Sequence, residues 1–568
     1  MDNWRNMVIA GLLTLVILLG WPMLTRQFFP VANPPATKVV DGKSVAIPNP
    51  GADPAADSPA ALRDRALVLR ETPRVRIDSP RVAGSINLRG ARIDDLVLTT
   101  YRETVDRRSP PIRLLSPGGT EKAYFAGFGW AGDGVALPGP NTVWQASAPT
   151  LSPTSPVTLR WDNGAGQRFE IALSIDDAFM ITAVQRVANS GTGAIVTRPY
   201  ALVSRTGKSP DPDSWTLHVG PVGTFGGATD YSVDYKNLTP DVAPRTFAST
   251  GGWIGFTDKY WLVAIAPDQR VPFNASLRGG AGERYQADAT VAPQVVQPGK
   301  VAQSTTRIFA GAKEIGLLQR YENDLGIVNF ERAVDWGWFR VIEKPIFFVL
   351  DWLFRLTGNF GVAIILLTVV VRGLMFPVAQ RQFASMAGMR AIQPKMKALQ
   401  ERHKDDKQTL QAEMLKLYQQ EKVNPIAGCL PIVLQIPIFY ALYKVLMLTI
   451  EMRHQPFVLW IRDLSAPDPL TPLNLFGLLD FTPPHFLAIG VLPILLGITM
   501  WLQFKLNPQP MDEMQKQVFG LMPWIFMFVM APFAAGLQLY WTVSNLLTIA
   551  QQKWLYSRHP GLKAATAK

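Results

Sequence analysis

Cysteine and histidine are scarce in this sequence, and their scarcity excludes several classes of site. The 568 residues include one cysteine, Cys429, and five histidines. One cysteine excludes a disulfide framework and any cysteine-based zinc or iron–sulfur centre. No two histidines lie closer than 31 residues, so no local spacing suits a metal ion. The P-loop, the dinucleotide-binding glycine motif, the nucleophile elbow and the HExxH motif are also missing. These absences disfavour an enzyme, and we predict no catalytic residue, no metal and no cofactor.

Charge is also sparse. Charged residues make up 18% of the chain, whereas soluble domains carry about 25%. The 56 basic and 44 acidic residues leave a formal net charge of +12, and 48% of the residues are apolar. This composition argues against a disordered chain and against a basic DNA-binding protein. Because the chain is also too long for one ordinary domain, it indicates one soluble part combined with one membrane part.

Long apolar segments predict six membrane spans. Residues 7–24 carry no charge and no cleavage site of the A-x-A type follows them, which predicts an uncleaved signal anchor within residues 1–28. Residues 29–64 are rich in proline and alanine and predict a flexible linker. The five further spans are predicted at residues 360–379, 426–450, 486–504, 518–533 and 535–556.

The segment between the first two spans has a different character. Residues 65–315 contain many short apolar strands separated by glycine and proline, which predicts an inserted all-β domain, a β-sandwich. Residues 329–358 are apolar but punctuated by charges and aromatic rings, as is typical of an amphipathic helix lying in the membrane interface. The fold class is therefore a multi-pass α-helical membrane protein with an inserted β-domain.

The distribution of basic residues predicts the orientation. Residues 380–424 contain nine lysines and arginines, whereas the connection between the third and fourth spans contains only Arg453 and Arg462. Basic segments stay in the cytoplasm, so six spans place both termini there and the β-domain outside. A large external domain without disulfides fits the periplasm of a bacterium, which predicts a location in the bacterial inner membrane.

Arg372 is the only charge among residues 360–379. One interpretation is that its side chain extends to the headgroups, and the other is that it faces a water-filled cavity. The last span favours the cavity, because a polar stripe runs along one helical face with a spacing of 4, 3, 3 and 4 residues. The stripe consists of Gln538, Thr542, Asn545, Thr548 and Gln552. Thr368, Gln435 and Thr499 add polar groups to other spans, although each of these residues could instead serve as an interhelical hydrogen-bonding contact.

Residues 380–424 predict a cytoplasmic helical hairpin. Its methionines recur at helical spacing, and basic residues flank them. They form either the seam between the two helices or an adaptable surface for apolar peptides or ribosomal RNA. The residues of this predicted surface are Met386, Met389, Lys395, Met396, Lys397 and Met414.

Several motifs together resemble the YidC family of membrane protein insertases, in the Oxa/Alb superfamily. In order along the chain they include Val371-Arg372-Gly373, Gln393-Pro394-Lys395, Asn424-Pro425, Gln435-Ile436-Pro437, Leu459-Trp460-Ile461-Arg462-Asp463, Tyr540-Trp541 and Ser544-Asn545-Leu546. The resemblance covers residues 335–556, and the N-terminal anchor with the β-domain resembles the Gram-negative form. The aromatic pair is Tyr540-Trp541 where the family pattern leads us to expect two tyrosines.

The resemblance implies a five-helix core, with residues 359–379 and 425–556 providing its spans, around a hydrophilic groove open to cytoplasm and lipid. It implies that this groove binds substrate through Arg372, Thr368, Tyr540 and Trp541, and we add Gln435, Gln538 and Asn545 as groove residues. The implied function is to insert, fold and assemble integral membrane proteins, alone or with the Sec translocon. Implied partners are nascent membrane proteins, the lipid bilayer and the ribosome. The tail at residues 557–568 is short, so ribosome contact is expected to be weak or through cytoplasmic loops.

Two other functions remain open from the residues alone. A secondary transporter could use Arg372 as an anion site, but the sequence shows no repeat symmetry between halves. An intramembrane protease is disfavoured because none of the five histidines lies inside a predicted span.

Overall fold

The computed structural model describes residues 62–211, 217–337, 339–403, 406–421, 430–479, 488–506 and 513–558. The predicted signal anchor, nearly all of the predicted linker and most of the C-terminal tail therefore lie outside the described residues. So do the side chains of several helical residues, which are 381–391, 393, 407, 430–434, 506, 513–516, 518–519, 556 and 558.

A β-domain occupies the first half of the described chain, as the sequence predicts. Its strands alternate buried and exposed residues where one face meets solvent, as in Gln167–Ile175, and are buried throughout at the centre of a sheet, as in Tyr124–Ala131. The first ten strands are β1 Arg74–Asp78, β2 Val82–Asn87, β3 Arg92–Arg102, β4 Pro111–Leu115, β5 Tyr124–Ala131, β6 Gln145–Ala146, β7 Thr150–Leu151, β8 Val157–Asp162, β9 Gln167–Ile175 and β10 Met180–Asn189. The others are β11 Ile195–Thr206, β12 Gly220–Phe225, β13 Ala228–Asp230, β14 Arg245–Thr250, β15 Gly252–Thr257, β16 Trp261–Pro267, β17 Pro272–Gly280, β18 Arg284–Val291, β19 Gln294–Val296 and β20 Lys300–Ala312.

These strands form two large sheets. One runs β14-β17-β18-β11-β5-β3-β2-β1-β7, with β19 added beside β11 and β4 beside β3, and the other runs β13-β12-β15-β16-β20-β10-β9-β8-β6. Neighbouring strands are antiparallel except β1 and β7. Gly252 permits one close approach, because a Cβ atom there would lie 2.0 Å from the carbonyl oxygen of Thr224. An ion pair links the sheets, since Arg205 on β11 donates to Asp258 just after β15 at 2.8 Å.

The helical region follows the β-domain. A short helix, α1 Arg65–Arg70, precedes the strands. The remaining helices are α2 Ile315–Leu325, α3 Arg340–Thr357, α4 Phe360–Leu374, α5 Phe376–Arg402, α6 Lys407–Gln420, α7 Leu430–Leu448, α8 Val491–Leu506, α9 Glu513–Met530 and α10 Ala535–Arg558. Short 3-10 helices lie at Tyr235–Asn237, Phe330–Ala333, Ile450–Met452 and Pro472–Gly477.

Local signals explain where several helices begin and end. Gly358 closes α3 in the left-handed conformation at φ 68°, and Asn359 caps α4 by accepting a hydrogen bond from the backbone N–H of Val362. Only Met375 separates α4 from α5, and Pro377 fits the first turn of α5, where a missing N–H costs little.

None of the helices in the described ranges combines the length and the apolar character that a membrane span requires.

The β-domain and the helical region meet at the loop that follows α7. The carboxylate of Glu451 accepts a hydrogen bond from the backbone N–H of Ile315, the first residue of α2. Helix α2 is docked on the β-domain because its Tyr321 donates to Asp176 there. Arg453 donates to the carbonyl oxygen of Arg102 at 2.8 Å, and its guanidinium lies over the rings of Tyr260 and Trp261. Burial raises the pKa of Glu451 to about 7, against the opposing effect of the Ile315 hydrogen bond. The junction is therefore specific and contains a titratable buried group.

Candidate functional site

Arg372 lies near the C-terminal end of α4, where a positive charge interacts favourably with the helix dipole. Its side chain is half-buried and crosses to α10. The Nε and Nη2 atoms donate to the hydroxyl oxygen of Ser544 at 3.0 and 2.5 Å. Among the described residues, no carboxylate forms an ion pair with Arg372. The guanidinium is thus held by a neutral group, and its positive charge is not neutralised by that part of the chain.

A second polar contact continues from this one. The side-chain amide of Gln435 on α7 donates to the hydroxyl of Tyr540 on α10 at 2.7 Å. Tyr540 and Ser544 are four residues apart and therefore share a face of α10. Arg372, Ser544, Tyr540 and Gln435 form what we call the Arg372 cluster, which joins α4, α10 and α7.

Trp541 lies next to this cluster in an aromatic environment. Its ring centroid is 4.5 Å from that of Phe439 on α7 and 4.6 Å from that of Phe526 on α9. Such edge and tilted contacts stabilise an apolar surface without requiring a hydroxyl. The tryptophan that replaces the expected tyrosine therefore packs as a hydrocarbon surface beside the polar cluster.

Three other predicted groove residues, Thr368, Asn545 and Gln538, do not join the Arg372 cluster. They form hydrogen bonds within their own helix or to a neighbouring segment. The hydroxyl of Thr368 donates to the Ile364 carbonyl of its own helix at 2.6 Å, and the amide of Asn545 donates to Thr499 on α8 at 3.2 Å. The amide of Gln538 donates to the carbonyl oxygens at the turn between α9 and α10, which belong to Met530, Ala531 and Phe533. All three predicted residues are buried. Their hydroxyl and amide donors are used within the helices that they stabilise, whereas the buried Oε1 atom of Gln538 has no hydrogen-bond partner among the described residues.

The polar stripe predicted from the sequence does not include Ser544. The stripe passes through Asn545, one position later, and one residue corresponds to a rotation of about 100° around a helix. In the structure the Asn545 side of α10 faces α8, whereas the Ser544 side faces α4. A second polar line through Tyr540 and Ser544 was visible in the sequence, but spacing alone does not tell which line meets Arg372.

The predicted cytoplasmic hairpin corresponds to α5 and α6. Lys395 forms an ion pair with Glu421 at 2.5 Å, and Lys397 is exposed. Met396 and Met414 are half-buried, whereas the side chains of Met386 and Met389 lie outside the described residues. Pro394 lies within α5, which continues through it as one helix.

No group of three or more histidine, cysteine, aspartate or glutamate side chains within the described ranges is placed to hold a metal ion.

Comparison with known proteins identifies the family. The 60Kd inner membrane protein family matches residues 352–562, and the YidC periplasmic domain family matches residues 74–349. The membrane protein insertase YidC of Zymomonas mobilis is 49% identical over 98% of this chain and 95% of its own length. That of Methylobacterium nodulans is 45% identical over 98% of this chain and 96% of its own. An active YidC insertase crystal structure overlaps with a TM-score of 0.37 and 19% identity, covering 85% of this chain and 92% of that one.

The family assignment rests on the sequence relatives. They are named for the insertion of membrane proteins, which is not an enzymatic activity. Both matched families lie in the same order as the β-domain and the helical region. The chain belongs to the YidC family of membrane protein insertases, bacterial inner membrane proteins with a periplasmic domain.

Proposed function

We propose that this protein inserts, folds and assembles integral membrane proteins, acting as an insertase and a chaperone, alone or with the Sec translocon. In this proposal the chain crosses the membrane six times, with both termini in the cytoplasm and the β-domain in the periplasm. The five spans after the β-domain form the core. Family membership and the asymmetric distribution of lysine and arginine support this arrangement.

The proposal rests on one observation, which is that the charged side chain of Arg372 is bonded to a neutral group. A charge paired with a carboxylate is already neutralised, whereas Arg372 is held by the hydroxyl of Ser544. Since Coulomb attraction strengthens as the surrounding dielectric constant falls, a charge in an apolar wall attracts an acidic segment more strongly than a surface arginine does. The attraction remains reversible because no second cation lies beside it in the predicted span.

The surroundings of Arg372 divide the proposed groove into two surfaces. Gln435, Tyr540 and Ser544 form a polar wall in which Tyr540 and Ser544 are buried. The half-buried Arg372 presents this wall to the part of a substrate that crosses the membrane, where each unsatisfied polar group would cost several kcal/mol in hydrocarbon. Trp541 and Phe439 offer a ring surface to the apolar part, which then moves into lipid. Thr368, Gln538 and Asn545 support this groove by fixing its helices.

The cytoplasmic hairpin is the proposed contact site for the remaining partners. Lys395 and Lys397 provide positive charge, and the methionines provide an adaptable apolar surface. In this proposal nascent membrane proteins, and weakly the ribosome, contact the hairpin before the substrate reaches the Arg372 cluster.

A substrate series that varies only in the charge of its translocated tail tests the proposal. Arg372→Lys should retain most insertion, because position and charge persist. Arg372→Ala should slow insertion of tails that contain aspartate or glutamate and affect neutral tails less, and Arg372→Glu should be the slowest with acidic tails. The measurement is the insertion rate in vesicles that contain only this protein.

Arg355 provides a matched control, because it is an exposed arginine whose partner is Asp351 on the same helix. Arg355→Ala should leave the dependence on tail charge unchanged. Equal losses for Arg372→Lys and Arg372→Ala, or a loss that does not depend on tail charge, would contradict an electrostatic role for Arg372.

A further inference from the structure

The loop before α8 exposes several large apolar side chains close together. Residues 470–479, which we call the apolar loop, contain no charged residue. The exposed members are Leu473, Leu475, Phe476, Leu478 and Leu479, and Leu478 is 83% exposed. Single exposed leucines are common on proteins, but a contiguous apolar patch usually marks a surface that something covers.

The apolar loop begins beside the N-terminal end of α8. The backbone N–H of Val491 donates to the Leu470 carbonyl at 3.1 Å, and that of Leu492 donates to the carboxylate of Asp468 at 2.7 Å. Asp468 also accepts a hydrogen bond from the indole N–H of Trp460. In the proposed topology this end of α8 lies at the periplasmic surface, where tryptophan is enriched. The loop is therefore attached at the depth of the lipid headgroups.

The backbone of the apolar loop forms many of its hydrogen bonds internally. The N–H of Phe476 donates to the Thr471 carbonyl and that of Leu479 to the Asn474 carbonyl, both at 3.0 Å. Leu475 and Phe476 both adopt positive φ, at 48° and 60°, which produces a tight reversal and leaves both side chains exposed. In a low-dielectric surrounding, backbone N–H and C=O groups must form their hydrogen bonds within the protein.

We infer that the apolar loop is embedded in the periplasmic leaflet of the lipid bilayer and anchors the start of α8 there. The occupant is lipid rather than a protein partner, because residues 470–479 carry no charge, close backbone hydrogen bonds within the loop, and begin at the end of α8 that the proposed topology places among the lipid headgroups. The inference rests on the orientation given in the proposed function. It assigns to the loop a lipid contact that is separate from the Arg372 cluster.

Fluorescence quenching in vesicles tests the inference. The full chain, with Cys429→Ser, carries Leu478→Cys labelled with an environment-sensitive fluorophore in phosphatidylethanolamine–phosphatidylglycerol vesicles. Lipids brominated on their acyl chains should quench this label, and aqueous iodide should not. Leu473→Cys provides a second position in case the first variant folds poorly.

Val301→Cys is the matched control, since Val301 is an equally apolar residue that is 62% exposed at the start of β20. Ala312 lies eleven positions further along β20, about 35 Å away at the rise of a β-strand. Iodide should quench this label and brominated lipid should not, and its iodide signal also reports the fraction of β-domains that face outward.

Iodide quenching at Leu478 and Leu473 would overturn the inference in favour of a solvated loop. Protection from both quenchers would overturn it in favour of a protein partner or a second copy. The measurement does not require activity. A protein that inserts no substrate but shows acyl-chain quenching would retain the inference and lose the proposed function.

Discussion

Arginine is used in opposite ways in the two halves of the molecule. In the β-domain, Arg205 is buried against Asp258, and each side chain is 8% exposed. In the helical region, Arg372 is half-buried and bonded to the hydroxyl of Ser544. Each is confined by hydrogen bonds, but only the first has its charge neutralised by its partner.

This difference separates structural from functional charge. A buried ion pair satisfies both partners and holds two sheets together, so little of its field reaches a ligand. An arginine oriented by a neutral hydroxyl keeps its position and also its field. The β-domain therefore uses arginine for cohesion, whereas in our proposal the unpaired charge of Arg372 in the helical region attracts a substrate.

The largest expected effect contrasts these two arginines directly. Arg205→Met should lower the free energy of unfolding of the β-domain by about 3–5 kcal/mol, because Asp258 is left buried without its partner. Arg372→Met should cost less, about 1.5 kcal/mol, the lower end of the range for a hydrogen bond to a charged group. The measurement is the urea dependence of proteolysis of the full chain in lipid nanodiscs, with β-domain fragments and helical fragments followed separately.

Insertion assays give the complementary result. Arg372→Met should reduce insertion of acidic tails while the protein remains folded. If Arg372→Met unfolds the helical region as strongly as Arg205→Met unfolds the β-domain, the two arginines have the same structural role and the comparison fails.

The next effect concerns the junction between the two halves. Glu451 is ordinarily charged above a pKa of 4.5, but burial raises its pKa to about 7 when the β-domain is docked. The docked state thus binds the proton more tightly, so docking is strongest at low pH and weakens as the pH rises from 4.5 to 7. The difference corresponds to at most about 3 kcal/mol. Hydrogen exchange of the Ile315 amide should become faster over this interval.

Glu451→Gln is the control for this effect, because the amide keeps an oxygen to accept from Ile315 but does not titrate. Exchange at Ile315 in this variant should not change between pH 4.5 and 7 after correction for intrinsic exchange. A persistent pH dependence would show that another group controls the junction.

A smaller effect is expected at Ser544. Ser544→Ala should reduce insertion of acidic tails by up to about tenfold, since a hydrogen bond to a charged group contributes about 1.5 kcal/mol or more and 1.4 kcal/mol is one factor of ten. Ser544→Thr retains the hydroxyl and should restore most of the rate. Insertion rates with acidic and neutral tails distinguish loss of orientation from loss of stability, because only the former depends on tail charge.

The smallest effect is expected on the cytoplasmic hairpin. Lys395 and Glu421 are 62% and 34% exposed, so their ion pair should contribute less than about 1 kcal/mol to stability. A double-mutant cycle with Lys395→Ala and Glu421→Ala measures this coupling. By contrast, reversing the charges of Lys395 and Lys397 should weaken substrate or ribosome engagement, and the defect should shrink at high salt. Engagement that does not depend on salt would identify these lysines as solvated residues only.

Local sequence patterns were sufficient to predict much of the architecture. The strand-like segments of residues 65–315 correspond to the β-domain, and the last predicted span begins at Ala535, where α10 begins. These features depend on neighbouring residues, so periodicity and turn signals are sufficient to find them. The family resemblance was likewise contained in short motifs.

Long-range partners were not contained in those patterns. Arg205 and Asp258 are 53 residues apart, and Arg372 and Ser544 are 172 residues apart. Arg372 was identified because a charge in an apolar segment is unusual by itself. Ser544 was not, because α10 carries two polar lines and only the packing of α4 and α8 around it decides which line faces each neighbour.

Gln538 has a consequence for how the last two helices are held in the protein. Its amide bonds to carbonyl oxygens at the end of α9 and in the turn, all within the helix pair α9–α10. The backbone N–H groups of Ala535 and Gly536, at the start of α10, instead donate to the carbonyl oxygens of Ala466 and Leu464, which lie in the long loop between α7 and α8. The turn therefore satisfies its carbonyl groups from within the pair but depends on that loop for its N–H groups, so the start of α10 is fixed only once the loop is in place.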